Sequence, residues 1–173
     1  ELKQPMVLNR IVEDTLDLVR GHLRRYKVSV VLSLADDLPT IIASAQQIGQ
    51  VLLNLVNNAV EAMTGISTHD TAMKQQTIFG GEIQVRTWSS AGGDTVCLQI
   101  ADDGPGVSNE DLKRIFDPFY TRKKTMGMGV GLSICHGIIE EHHGSISVTN
   151  GPDGGAIFTV TLPLQPPKAT EAT

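Results

Sequence analysis

Apolar residues at Val12, Leu16, Val19, Leu23 and Tyr26 keep the three-and-four spacing of one helix face, which predicts a helix over residues 10–26 with Asn9 as its N-cap. The following run, VSVVLSL (28–34), is rich in β-branched residues and reads as a strand. Ser44 with Gln47 three positions later has the form of a capping box and opens a second helix that runs to about Met63. On that helix Ile48, Val51, Leu52, Leu55, Val56, Ala59 and Met63 make a single apolar stripe.

Residues 64–81 show no period. So long a link is unusual in a compact domain, so it reads as a surface connection, either disordered or a family-specific insertion. EIQVRTW and TVCLQIA around SSAGGD predict a hairpin. A short helix capped by Ser108, with Asp111 at its third position, precedes FDPFYTRKK. VGLSICHGIIEEHHG then predicts a helix closed by Gly144 as C-cap. SISVTN and AIFTVTL, on either side of GPDGG, predict the last two strands. The chain reads as one domain over 1–165 and a frayed tail at 166–173. Strands in sequential pairs with interspersed helices predict an α/β two-layer sandwich, its mixed β-sheet covered by helices on one face.

Composition narrows the partners. The 173 residues suffice for a real core, and 40% hydrophobic against 4% aromatic residues makes that core aliphatic. A formal charge of -5 weighs against nucleic acid as partner. Cys97 and Cys135 lack metal-ligand spacing and read as buried free thiols. No apolar run approaches the ~18 residues of a membrane span and no signal peptide is visible, so no membrane contact by this segment is expected. Reduced cysteines then suggest the cytoplasm. The start at Glu1, without methionine, suggests a piece of a longer protein, itself soluble or membrane-anchored.

Three stretches carry chemistry. On the second helix Asn54, Asn57, Asn58 and Glu61 gather opposite the apolar stripe. Each asparagine costs roughly 0.5 kcal/mol against alanine in a helix interior. Spacings of four and three align Asn54, Asn58 and Glu61, an arrangement that can offer oxygens to a hard cation such as magnesium. The plain alternative is a polar face with incidental amides. IADDGPGV (100–107) ends a strand in acid and follows it with G-P-G, placing a carboxylate where backbone approaches a flat ligand. Such a carboxylate accepts the exocyclic amine of adenine and repels the carbonyl of guanine; the alternative is an ordinary acidic turn. In FDPFYTRKKTMGMGVGLSIC, exposed Phe116, Phe119 and Tyr120 beside Arg122, Lys123 and Lys124 suggest a segment closing over an anion. Gly127, Gly129 and Gly131 lead into a helix N-terminus that favours phosphate. Neither a Walker loop nor a G-x-G-x-x-G fingerprint is present, so the three stretches together describe a nucleotide site of another kind.

Over about residues 8–163 the chain resembles the ATP-binding catalytic domain of sensor histidine kinases, in the GHKL (Bergerat-fold) superfamily. NLVNNAVEA matches the asparagine box, DDGPGV the first glycine box, FDPF the phenylalanine box and GMGVGL the second glycine box, in order. NAVEAM and GMGVGLSIC are similar to the PAS-linked oxygen-sensing and nitrogen-regulating group. The resemblance implies that Asn58 ligates Mg²⁺ and that Asn54 holds the phosphate and metal environment. Asp102 would accept the adenine amine, with Gly104 and Gly106 shaping the purine pocket. Residues 107–128 would be a lid whose Lys123 reaches the phosphates, and Gly127, Gly129, Val130, Gly131 and Leu132 would bind the triphosphate through backbone. Glu61 stands where many relatives have Lys, and Asp103 where Asn or Thr is frequent.

The implied activity is transfer of the γ-phosphate of Mg·ATP to a histidine on a separate dimerisation and phosphoacceptor domain of the same parent protein, with a response regulator downstream. The family's acceptor pattern H-[ED]-x-x-x-P does not occur here, and His22, His69, His136, His142 and His143 read as structural, the last two through a helix-dipole contact. Three alternatives stand beside this: a GHKL ATPase, an anti-sigma-type serine kinase, and a nucleotide-binding module without turnover. Hydrolytic relatives carry Glu at the position of Asn54 to activate water, and an amide cannot take that proton.

Overall fold

The computed structural model describes residues 2–65, 80–118, 120 and 131–165. Its elements are β1 (Gln4–Met6), α1 (Leu8–Arg25), β2 (Val28–Leu34), β3 (Ile41–Ala43), α2 (Ala45–Thr64), β4 (Gly81–Ser89), β5 (Thr95–Asp102), α3 (Asn109–Leu112), α4 (Gly131–Glu141), β6 (Ser145–Asn150) and β7 (Ala156–Pro163). Five strands form one sheet in the order β2-β4-β5-β7-β6. The β2–β4 pair is parallel and the other three are antiparallel, so the sheet is mixed, as expected.

Alternation drives the layering. Along β7, Ala156, Phe158, Val160 and Leu162 are buried; Ile83 and Val85 of β4 and Val96, Leu98 and Ile100 of β5 turn the same way, every second residue. These side chains join the apolar stripes of α1, α2 and α4 in one core. The whole predicted stripe of α2 is buried apart from the half-buried Met63, and Val60 adds to it at 0% exposure. Each large aliphatic side chain so buried contributes about 1.5–3 kcal/mol. Gly49 lets α1 lie close to α2, since a Cβ there would stand 3.3 Å from Thr15 Oγ1.

Three local expectations are corrected. Asn9 does not cap α1; the N-cap is Val7, without a side-chain bond. Instead Asn9 closes a ring of hydrogen bonds: its Nδ2 donates to Ala35 O at 2.7 Å, Thr87 Oγ1 donates to its Oδ1 at 2.7 Å, and Ala35 N donates to Thr87 Oγ1 at 3.2 Å. That ring ties α1 to β4 and to the chain just after β2, a stronger demand on the side chain than a cap.

The capping box at Ser44 is half made. Ser44 Oγ accepts from Gln47 N at 3.3 Å, but the Gln47 side chain reaches Glu141 Oε2 at 3.0 Å, and Ser44 N donates to His142 Nε2 at 3.1 Å. Finally, α4 ends in a Schellman motif whose left-handed residue is His143 (φ 58°), not Gly144. Gly144 N donates to Ile139 O at 2.9 Å and His143 N to Glu140 O at 2.8 Å. Gly144 is needed for space, because a Cβ there would overlap Thr161 O of β7.

The short strands β1 and β3 form a separate antiparallel ribbon that the periodicity did not announce. The hairpin β4–β5, the Ser108 cap of α3 (Oγ accepting from Asp111 N at 3.1 Å) and the strands β6 and β7 match their sequence expectations. Residues 66–79 of the expected connection and the tail 166–173 lie outside the described residues.

Candidate nucleotide site

The polar side of α2 carries Asn54, Asn57, Asn58 and Glu61, all half-buried. Asn54 faces the first turn of α4. Its Nδ2 lies 3.4 Å from Gly131 O and 3.6 Å from Cys135 Sγ, and Cys135 Sγ lies 3.8 Å from Val51 O back on α2. The asparagine helix and the glycine-led helix therefore meet side by side. Asn58 Nδ2 is buried without a hydrogen-bond partner among the described residues. Such a donor calls for an acceptor, a water or an anionic oxygen, which leaves Oδ1 as the atom that could meet a metal. Neutral carboxamides at this spacing fit a magnesium ion, which takes few protein oxygens and keeps waters and phosphate oxygens for the rest.

The purine side is built at the end of β5. Asp102 Oδ1 accepts from Gly104 N at 2.9 Å and from Ala156 N at 3.2 Å, both backbone donors, which fixes the carboxylate and leaves Oδ2 for a ligand. Burial raises the Asp102 pKa above its ordinary 3.8; the bonds from Gly104 and Ala156 oppose that shift, and the neighbouring Asp103 adds to it. Asp103 turns away and accepts from Glu82 N at 3.1 Å, fastening the start of β4. At Gly104 a Cβ would stand 2.9 Å from Asp102 Oδ1 and 3.5 Å from Ala62. Gly106 has φ +76°, and a Cβ there would stand 2.7 Å from Asn150 Oδ1. Asn150 clamps the backbone of the next residue, accepting from Val107 N at 2.8 Å and donating to Val107 O at 2.7 Å.

Sequence reasoning missed three supports of this turn: Asn150, Gly155 and Ala156. Gly155 has φ +76°, and any Cβ on it would overlap Asp102 O. The repeated glycine of GPDGG was the available signal, read there only as a hairpin turn.

Beyond the turn, Phe116 is not exposed as expected. It is half-buried, edge-on to Phe158 with centroids 6.4 Å apart and tilted against the His136 ring at 5.7 Å. Tyr120 is half-buried too; its hydroxyl donates to Asp111 Oδ1, and the Arg114 guanidinium lies 4.7 Å from its ring centroid. Apolar rings in a small domain find the core before they find solvent. Phe119, Arg122, Lys123, Lys124, Gly127, Gly129 and Val130 lie outside the described residues, while Gly131 and Leu132 open α4.

Among the described histidines, one is buried. His142 is buried, its Nδ1 2.8 Å from Ile138 O while Nε2 accepts from Ser44 N. With Nε2 accepting, Nδ1 carries the hydrogen and donates to a carbonyl in the last turn of α4. His136 pairs with Glu140 at 3.4 Å, and His22 lies edge-on to Tyr26. His69 is outside the described residues. Both cysteines are buried and free, as expected.

A mixed sheet with helices on one face, a polar helix beside a glycine-led helix, and an acid-glycine turn together define an ATP-binding domain without a Walker loop. The chain belongs to the family described as histidine kinase-, DNA gyrase B-, and HSP90-like ATPase, whose profile matches residues 43–166. Sporulation kinase E of Bacillus subtilis (strain 168) is 35% identical over 158 residues, which are 91% of this chain and 19% of that protein. The nucleotide-free catalytic domain of histidine kinase ThkA superposes with a TM-score of 0.79 at 28% identity, covering 96% of this chain and 100% of that one. ThkA in complex with the response regulator TrrA matches with a TM-score of 0.75 at 27% identity, covering 96% of this chain and 43% of that one. The chain spans between 15% and 36% of the length of curated relatives such as these. Among the described residues no helix is long and apolar enough to cross a membrane.

Proposed function

We propose that residues 1–165 form the catalytic domain of a sensor histidine kinase, which binds Mg·ATP and hands the γ-phosphate to a histidine on a separate dimerisation and phosphoacceptor domain of its parent protein. A response regulator then receives the phosphate; the similar kinase ThkA has been solved in complex with the response regulator TrrA. Asp102 accepts the adenine amine, and Gly104 and Gly106 keep the floor of the purine pocket free of side chains. Asn54 and Asn58 turn amides to the triphosphate and its metal, with Asn58 as metal ligand. Lys123, Gly127, Gly129, Val130, Gly131 and Leu132 bind the phosphates. Magnesium, when bound, neutralises charge on the phosphate oxygens. The protein's share is positioning and a fixed polar setting. The parent would work with this domain in the cytoplasm.

The observation that carries transfer rather than hydrolysis is the carboxamide of Asn54 beside the N-terminal turn of α4. An amide there holds no base for water, so the γ-phosphate awaits a better nucleophile. Labelled ATP tests this. The chain alone should acquire almost no label, and mixed with the helical hairpin of its parent it should label that hairpin. The expected phosphoramidate is lost in acid and survives base. Acid-stable label would identify a serine acceptor instead, and rapid phosphate release with no labelled protein would identify a hydrolase.

A further inference from the structure

A carboxamide can face a ligand with a donor or with an acceptor, and which end it presents depends on what holds the other end. At Asn54 the holding bonds run in one direction. Cys135 Sγ lies 3.8 Å from Val51 O and 3.6 Å from Asn54 Nδ2. A carbonyl oxygen only accepts, so the single thiol hydrogen goes to Val51 and a sulfur lone pair faces Asn54. Asn54 Nδ2 also lies 3.4 Å from Gly131 O, another pure acceptor. Both amide hydrogens of Asn54 are thereby committed inside the protein, and Oδ1 is the end left for a ligand.

We propose that Cys135 is a positioning residue for Asn54, its thiol locking the carboxamide so that the oxygen serves the metal side of Mg·ATP and no N–H is offered to phosphate. The inference rests on the ATP-site reading above and refines it at one atom. Cys135 has 0% exposure, so it meets neither ligand nor solvent and acts only through its neighbour. Burial pushes its pKa up to about 11, against a smaller opposing effect of the bond from Asn54. Valine would put methyl groups where the sulfur sits, one more γ atom than cysteine and no lone pair; serine would restore both a donor and an acceptor.

Two readouts separate this role from packing. The first uses nucleotide-free protein: NMR exchange of the Asn54 side-chain amide protons in wild type, Cys135→Val and Cys135→Ser. The second is calorimetry of ATP with Mg²⁺ and with EDTA, adenosine serving as the metal-independent probe. Exchange should speed up in Cys135→Val, and the Mg²⁺ enhancement of ATP affinity should fall about 2- to 10-fold, the worth of one ordinary hydrogen bond. Adenosine affinity should hold, and Cys135→Ser should recover both properties. Cys135→Ala carries the same comparison if the valine variant does not fold. Wild-type exchange and wild-type enhancement in the valine variant would overturn the proposal, as would an equal loss of ATP and adenosine affinity. A wild-type protein whose ATP affinity ignores Mg²⁺ would instead remove the metal reading, and the exchange comparison alone would then decide whether Cys135 holds the amide.

Discussion

Asp102 concentrates the site's chemistry in one carboxylate. Its Oδ1 is held by two backbone N–H groups, and an asparagine would keep an oxygen there to accept from both. Asp102→Asn should therefore leave the fold intact while weakening ATP about 10- to 100-fold, the worth of a hydrogen bond to a charged group. Isothermal titration against ATP and GTP checks this, with GTP weak throughout. The pH dependence has a definite sign. Burial places the folded pKa above the unfolded one, so the native state binds more protons between the two values and stability declines as pH rises through that window. The adenine amine prefers the ionised form, so ATP affinity should rise with pH across the same window and binding should release protons there. Calorimetry in buffers of different ionisation enthalpy reads that release. Asp102 was legible in the sequence because an acid ending a strand before G-P-G is a local pattern. Asn150 and Gly155 were not, because only the pairing of β7 with β5 and with β6 brings residues so distant in the chain to the same turn.

Elements show the same division between local signals and tertiary demands. The apolar stripes of α1 and α2 and the alternation of β4 and β7 follow from local periodicity, and the structure keeps them. The caps depend on what lies opposite, so Asn9 and Gln47 left their expected partners for distant ones. Three-residue strands such as Gln4–Met6, with Pro5 in the middle, hold too little pattern to read. Two glycines make the contrast measurable. Gly155→Ala forces a left-handed residue into Asp102 O and should cost roughly 2–4 kcal/mol, with adenosine binding lost alongside. Gly21→Ala, in α1 with nothing within 4 Å of its Cβ, should stabilise by about 0.8–1 kcal/mol. Urea midpoints of the two variants should move in opposite directions.

For the whole molecule, a ligand that binds only the folded state is a stabiliser by mass action. At a hundred times its Kd, Mg·ATP should add about 2.7 kcal/mol and raise Tm by roughly 5–10 °C. Scanning calorimetry with GTP in place of ATP should show almost none of that shift; an equal shift with both would remove the adenine assignment. Layer and fold class followed from the order of elements, whereas the strand order did not, since parallel pairing leaves no turn signature. That parallel pair has a kinetic consequence. Val28 lies opposite Gly81 and Leu34 opposite Thr87, and the connection between β2 and β4 runs through α2. The β4–β5 and β6–β7 hairpins close over short turns and can form early, but β2 can take its edge position only once a long crossover has been closed. The helix bearing Asn54 and Asn58 is that crossover. On a growing or refolding chain, the nucleotide site and the last edge of the sheet are therefore completed in the same event.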